Sequence, residues 1–148
     1  MLIGMSAARI QGVLASTIDV DIWIDLPTRR YMHIINLCLR AGATFGRNTV
    51  VYLEDGTPLN FVYEVTGLPS FKAEYPRAKW YDFHSHRIAV LPLTRIYRSK
   101  EKIGRDKDKL HMVLIRQFLR ASRRAATTAH KPQSPDPTKR RSGGRHRS

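Results

Sequence analysis

The chain has 148 residues, a formal charge of +14, 42% apolar residues and one cysteine. That length holds one domain with a real core and is short for two. No apolar run approaches the roughly 20 residues of a membrane-spanning helix, and the lone Cys38 excludes an intramolecular disulfide or a multi-cysteine zinc site.

In chain order, Leu2-Ile3-Gly4 reads as the end of a short strand and residues 6–15, SAARIQGVLA, as a short helix. This start lacks the basic region and long apolar run of a secretory signal, so a cytoplasmic address without membrane attachment is expected. Residues 18–25, IDVDIWID, alternate as a strand does: Ile18, Val20, Ile22 and Ile24 point one way, Asp19, Asp21, Trp23 and Asp25 the other. Asp19 and Asp21 stand ~6–7 Å apart along such a strand. Two carboxylates so placed repel unless a cation or basic group lies between them. Mg²⁺ suits the arrangement, because it binds through one or two carboxylates and completes its shell with phosphate oxygens and water. A solvated strand face paired with Lys or Arg is the alternative. Asp25, just ahead of Pro27, suits a helix cap better than a metal.

Residues 27–43, PTRRYMHIINLCLRAGA, predict a helix: Pro27 fits its start, Tyr31, Ile34, Ile35, Cys38 and Leu39 form one stripe, and Ala41-Gly42 offers a stop. The β-rich runs TVVYL and PLNFVYEV flank Asp55-Gly56, which signals an antiparallel hairpin. Residues 67–86, broken by Pro69 and Pro76, read as mostly irregular, with Trp80, Tyr81 and Phe83 packed onto the sheet. His84, His86 and Asp82 alternate as zinc ligands do but lack a fourth partner. A short strand, HRIAVLPL, ends at Pro92, and residues 94–104 and 105–124 follow as two helices. His33 and His111 have no nucleophile beside them in sequence and are assigned no role.

The charge divides unevenly. Residues 121–148 hold eight Lys or Arg against Asp136, and residues 1–120 hold 18 against 11 acids, so each part carries +7. The C-terminal part has hardly a large apolar residue to offset its ordering entropy. Residues 1–125 are therefore expected as the domain and 126–148 as a basic disordered tail, which could serve a nucleic acid or remain solvated. The element order implies an α/β (α+β) fold with a small mixed sheet packed by helices.

Gly4 ahead of a short helix, Gly12, Thr17 and then Asp19-Val20-Asp21 resemble the nucleotidyltransferase superfamily, in particular the minimal, abortive-infection and toxin-antitoxin members. A second stretch, RSKEKIGRDKDKLH, is similar to that family's basic helix region through Lys100, Arg105, Lys107 and Asp108. Together the two stretches span most of residues 2–120. The resemblance implies a nucleotidyltransferase-like fold and Mg²⁺-dependent transfer of a nucleotidyl group from a nucleoside triphosphate to a hydroxyl of RNA or protein. It makes Asp19 and Asp21 both catalytic and metal-binding, with Asn60 at the third metal-ligand position, where the family carries an acid. It places Gly4, Ser6, Lys100, Arg105 and Lys107 on the nucleotide. Asn60 and Met5, which depart from the family pattern, favour one alternative, a non-catalytic nucleotide or nucleic-acid binding partner of the toxin-antitoxin kind; the basic tail supports another, a basic nucleic-acid-binding module.

Overall fold

A computed structural model describes residues 1–129. Seven strands form one mixed sheet: β1 (Leu2–Ile3), β2 (Val20–Trp23), β3 (Thr44–Phe45), β4 (Val50–Tyr52), β5 (Pro58–Val62), β6 (Lys79–Phe83) and β7 (His86–Val90). Their order across the sheet is β3-β4-β5-β2-β1-β7-β6. The helices are α1 (Gly4–Ile10), α2 (Tyr31–Arg40), α3 (Phe71–Glu74), α4 (Leu93–Ile103) and α5 (Asp106–Ala129), with 3₁₀ turns at Thr28–Arg30 and Tyr75–Arg77. The protein is thus a mixed α+β fold.

Strand β2 lies at the centre, antiparallel to β1 and parallel to β5. The register sets Asp21 beside both Ile3 and Asn60, and Ile22 beside Phe61. Because side chains alternate, one face carries Asp21 and Asn60 while the other carries Ile22 and Phe61. Helix α2 covers the second face: Ile35 is fully buried with Val51 and Phe61, and Ile34 and Cys38 pack at the margin. A larger apolar cluster joins Ile3 and Trp23 to Ala7 and Ala8 of α1, Ile96 of α4 and Ile115 of α5. Trp23 shares the parity of Asp21 yet is only 1% exposed, and its indole N–H donates to the Tyr63 carbonyl at 2.8 Å. The aspartate face of β2 is therefore polar at its start and core at its end.

The hairpin at Asp55-Gly56 joins β4 to β5 antiparallel, with the Asp55 carboxylate accepting from the Thr57 amide at 2.9 Å. Helix α4 stops where Gly104 takes a left-handed conformation, φ 72°, which a residue without Cβ adopts readily.

Several expectations are corrected. Residues 67–86 are not mostly irregular: they contain α3, a 3₁₀ turn and β6, which pairs with β7 along five register positions. Trp80 and Phe83 are not core residues but 46% and 56% exposed. Their strand lies at the sheet edge, and the two side chains, three residues apart, project from opposite faces of it. Asp25 caps nothing, because Pro27 holds the cap position and no side chain bonds there. Helix α5 continues through residues 126–129, where the Thr127 and Thr128 hydroxyls donate to the Arg123 and Arg124 carbonyls. The rest of the expected tail, residues 130–148, lies outside the described residues. Among those described, no helix is long and apolar enough to cross a membrane.

Candidate active site

The start of β2 and the adjoining part of β5 form the floor of a cavity of about 340 Å³, walled by α4 and the beginning of α5. Asp19 and Asp21 enter it from β2 and the turn before it, and Asn60 from β5. Gly4, Lys100, Arg105 and Lys107 line the same space. Residues from four separate segments thus converge.

Gly4 is required by its surroundings. Its φ is +67°, and a Cβ there would stand 2.7 Å from Asp21 Oδ2. The missing side chain lets the β1–α1 corner close against that carboxylate. Asp21 is half-buried, and its other oxygen accepts from Asn60 Nδ2 at 3.1 Å. Burial pushes the Asp21 carboxyl above the ordinary aspartate value; the Asn60 hydrogen bond opposes the rise, the Asp19 charge adds to it, and Lys100 and Lys107 oppose it. Asp19 is exposed and bonds its own turn through Thr17 Oγ1, at 3.0 Å.

Asn60 does not present a free carbonyl as a metal ligand. Its Oδ1 accepts from Thr49 Oγ1 at 2.7 Å, and its amide faces Asp21. The side chain therefore orients the Asp21 carboxylate and contributes no charge.

Ser6, expected on the triphosphate, is not brought to the cavity. Its hydroxyl bonds the Ile3 carbonyl at 3.2 Å, and it lines a separate apolar space with Leu2, Ile18 and Ile22. Helix α1 turns this residue away from the side on which Gly4 meets Asp21.

The basic wall is organised by Asp108. Its carboxylate is fully buried and takes Lys100 Nζ at 3.0 Å and Arg105 Nε at 2.7 Å. Burial opposes its ionisation, but the Arg105 and Lys100 hydrogen bonds prevail and hold it at about 2. Lys100 and Arg105 are thus fixed at the cavity wall with part of their charge already answered, whereas Lys107 has no ion-pair partner among the described residues.

Two further residues line the site that sequence order does not reveal. Glu64 stands beyond the end of β5 on the cavity wall. His111 lies one turn after Lys107 on α5; its Nδ1 is buried without a hydrogen-bond partner. Burial lowers its pKa, and the nearby Lys100 lowers it further, so the imidazole is held neutral. The Lys107-to-His111 spacing of four is the one sequence signal that pairs them on a helix face.

Among the described residues, no group of three or more His, Cys, Asp or Glu side chains could hold a metal. The donor set is instead two carboxylates, Asp19 and Asp21, with cations opposite. That set fits Mg²⁺ taken up together with a polyphosphate, since such an ion draws its other ligands from phosphate and water.

Comparison of the chain with protein-family models, with curated proteins and with solved structures returned no match.

Proposed function

We propose that the protein is a Mg²⁺-dependent nucleotidyltransferase that binds a nucleoside triphosphate in the Asp21 cavity and transfers its nucleotidyl group to a hydroxyl of RNA or protein. The observation that carries this reading is the facing of the Asp19–Asp21 pair by Lys100, Arg105 and Lys107 across one cavity. Carboxylates opposite cations, with a glycine at the carboxylate, suit a ligand that is anionic at one end and metal-bound at the other.

Each side chain then has a task. Lys107, unpaired and exposed, attracts the phosphates, while Lys100 and Arg105, anchored on Asp108, hold donors in fixed positions beside them. Asn60 keeps the Asp21 carboxylate turned, leaving Oδ2 beside Gly4. Asp21, oriented by Asn60, takes the acceptor proton as the hydroxyl oxygen attacks the α-phosphorus and pyrophosphate departs. When bound by Asp19 and Asp21, Mg²⁺ supplies the positive charge that offsets the α-phosphate's negative charge.

A second reading is a non-catalytic nucleotide-binding partner, of the kind found in toxin-antitoxin pairs. It is favoured by Asn60 standing as a neutral amide and by Asp108 occupying two of the three cations. The test is calorimetric titration of Mg²⁺ with a nonhydrolysable triphosphate into the native chain and into Asp19→Ala plus Asp21→Ala. Binding that needs both metal and aspartates supports the site, and labelled triphosphate with RNA and protein acceptors then separates transfer from binding alone. Absence of binding at millimolar ligand by a folded protein rejects the nucleotide site.

A further inference from the structure

A second groove lies away from this cavity and shares no lining residue with it. Between α4 and α5 runs a groove of about 380 Å³ lined by Thr94, Tyr97, Arg116, Leu119, Arg120 and Arg123. No carboxylate lines it, and none pairs with these three arginines among the described residues. From Lys109 to Ala129, α5 contains no Asp or Glu at all.

The spacing of the arginines is costly for a helix by itself. Arg116 and Arg120 are four apart and Arg120 and Arg123 three apart, positions at which like charges meet on one face and destabilise the helix. The helix dipole does not account for them: its effect fades within the last turn, and among the described residues the last turn of α5 has no basic residue. One of the three is also held in place. Arg116 donates to the Tyr97 hydroxyl, and its guanidinium carbon lies 5.4 Å from the Tyr97 ring centre. The charge is thereby presented to the groove on a reduced set of rotamers.

We propose that this groove binds the phosphate backbone of a nucleic-acid strand through Arg116, Arg120 and Arg123. Guanidinium groups match phosphate oxygens in a two-pronged geometry. Seven residues of helix cover ~10.5 Å, so the three arginines form a short basic track beside about three consecutive phosphates of a single strand. The Thr94 and Tyr97 hydroxyls supply neutral donors along the same track. The contacts recognise backbone and not base sequence.

The experiment measures fluorescence anisotropy of a labelled 20-nucleotide oligouridine against the full chain at 0.05 to 0.5 M salt. It compares R116Q/R120Q/R123Q with K139Q/R140Q/R141Q, which removes an equal charge from the C-terminal segment. A third variant, R120Q/R123Q, keeps the Tyr97 contact, and thermal melts confirm that each is folded. Loss of three phosphate contacts lowers the slope of log affinity against log salt by about 2 for a single strand, which is about 100-fold in affinity at 0.1 M salt. The groove variant is expected to show that loss, R120Q/R123Q about two-thirds of the slope change, and the C-terminal variant a smaller one. Unchanged RNA affinity in the groove variant, or a loss confined to the C-terminal variant, overturns the proposal. So does absence of RNA binding at micromolar protein, whether or not phosphatidylserine vesicles bind.

Discussion

At the scale of single residues, the tightest constraint is between Gly4 and Asp21. Gly4→Ala places a methyl 2.7 Å from the Asp21 oxygen at a backbone conformation that L residues rarely adopt. The substitution is expected to cost about 1 kcal/mol in backbone strain alone and to weaken Mg²⁺-triphosphate binding at least tenfold by displacing the carboxylate, read by urea denaturation and calorimetry. Asp21→Asn separates stability from function. It removes a half-buried carboxylate whose charged form is disfavoured by burial and by Asp19, while Asn still offers an oxygen to Asn60. Its melting temperature at pH 7 is expected to rise as metal-dependent binding disappears; a fall in melting temperature would refute the unfavourable burial of this charge. This site is only partly legible in the sequence. Asp19, Asp21 and Gly4 are close in the chain, so their spacing exposes them. Glu64 and His111 join through tertiary packing, and the diversion of Lys100 and Arg105 onto Asp108 depends on the burial of Asp108, which a charged helix pattern hides.

At the scale of elements, α3 is tied to α4 by a buried ion pair. Glu74 is fully buried and meets Arg95 through both oxygens, one of them 2.8 Å from Nε. Glu74→Ala leaves the Arg95 charge half-enclosed and unanswered and is expected to cost about 3–5 kcal/mol, measured by chemical denaturation. The β6–β7 hairpin turns at His84 and Ser85, with His84 at φ 52°. His84→Gly relieves the left-handed strain, yet gives the unfolded chain more freedom, so a net change within about 1 kcal/mol is expected, whereas the same substitution at His86 in the strand destabilises. This turn explains why β6 is hidden in the sequence: His84-Ser85 lacks the Asn-Gly or Asp-Gly signature that makes β4–β5 visible. Strand β3 is missed for another reason, since Thr44 and Phe45 stand between Gly42 and Gly46, which read as loop. Helix α4 is plain because Leu93 and Ile96 recur on one face and Gly104 stops it.

For the whole molecule, the buried titratable groups fix the acid side of stability. Asp108 is held at about 2 against an ordinary value of 3.8; a carboxyl depressed on folding stabilises above its unfolded pKa, and that contribution is lost as pH falls from about 4 toward 2. His111 is likewise lowered on folding, so its loss begins earlier, as pH drops below about 6.5. Asp21, raised on folding, acts in the opposite direction: its contribution is greatest at low pH and disappears as pH rises through its folded pKa. Unfolding free energy from denaturant titrations is expected to decline between pH 7 and 5.5, and His111→Gln is expected to flatten that decline. An unaltered decline in the variant would remove His111 from the account.

The two-residue strand β1 also sets how the sheet comes apart. Hairpin β6–β7 joins the remaining strands through one register pair, Leu2 with Val90, and the bond from the Leu91 amide to the Leu2 carbonyl. Five strands lie on one side of that narrow seam and two on the other. Amide protons of β6 and β7 should therefore exchange with solvent deuterium together and ahead of those in β2 and β5, through an opening that leaves the Asp21 cavity's floor intact.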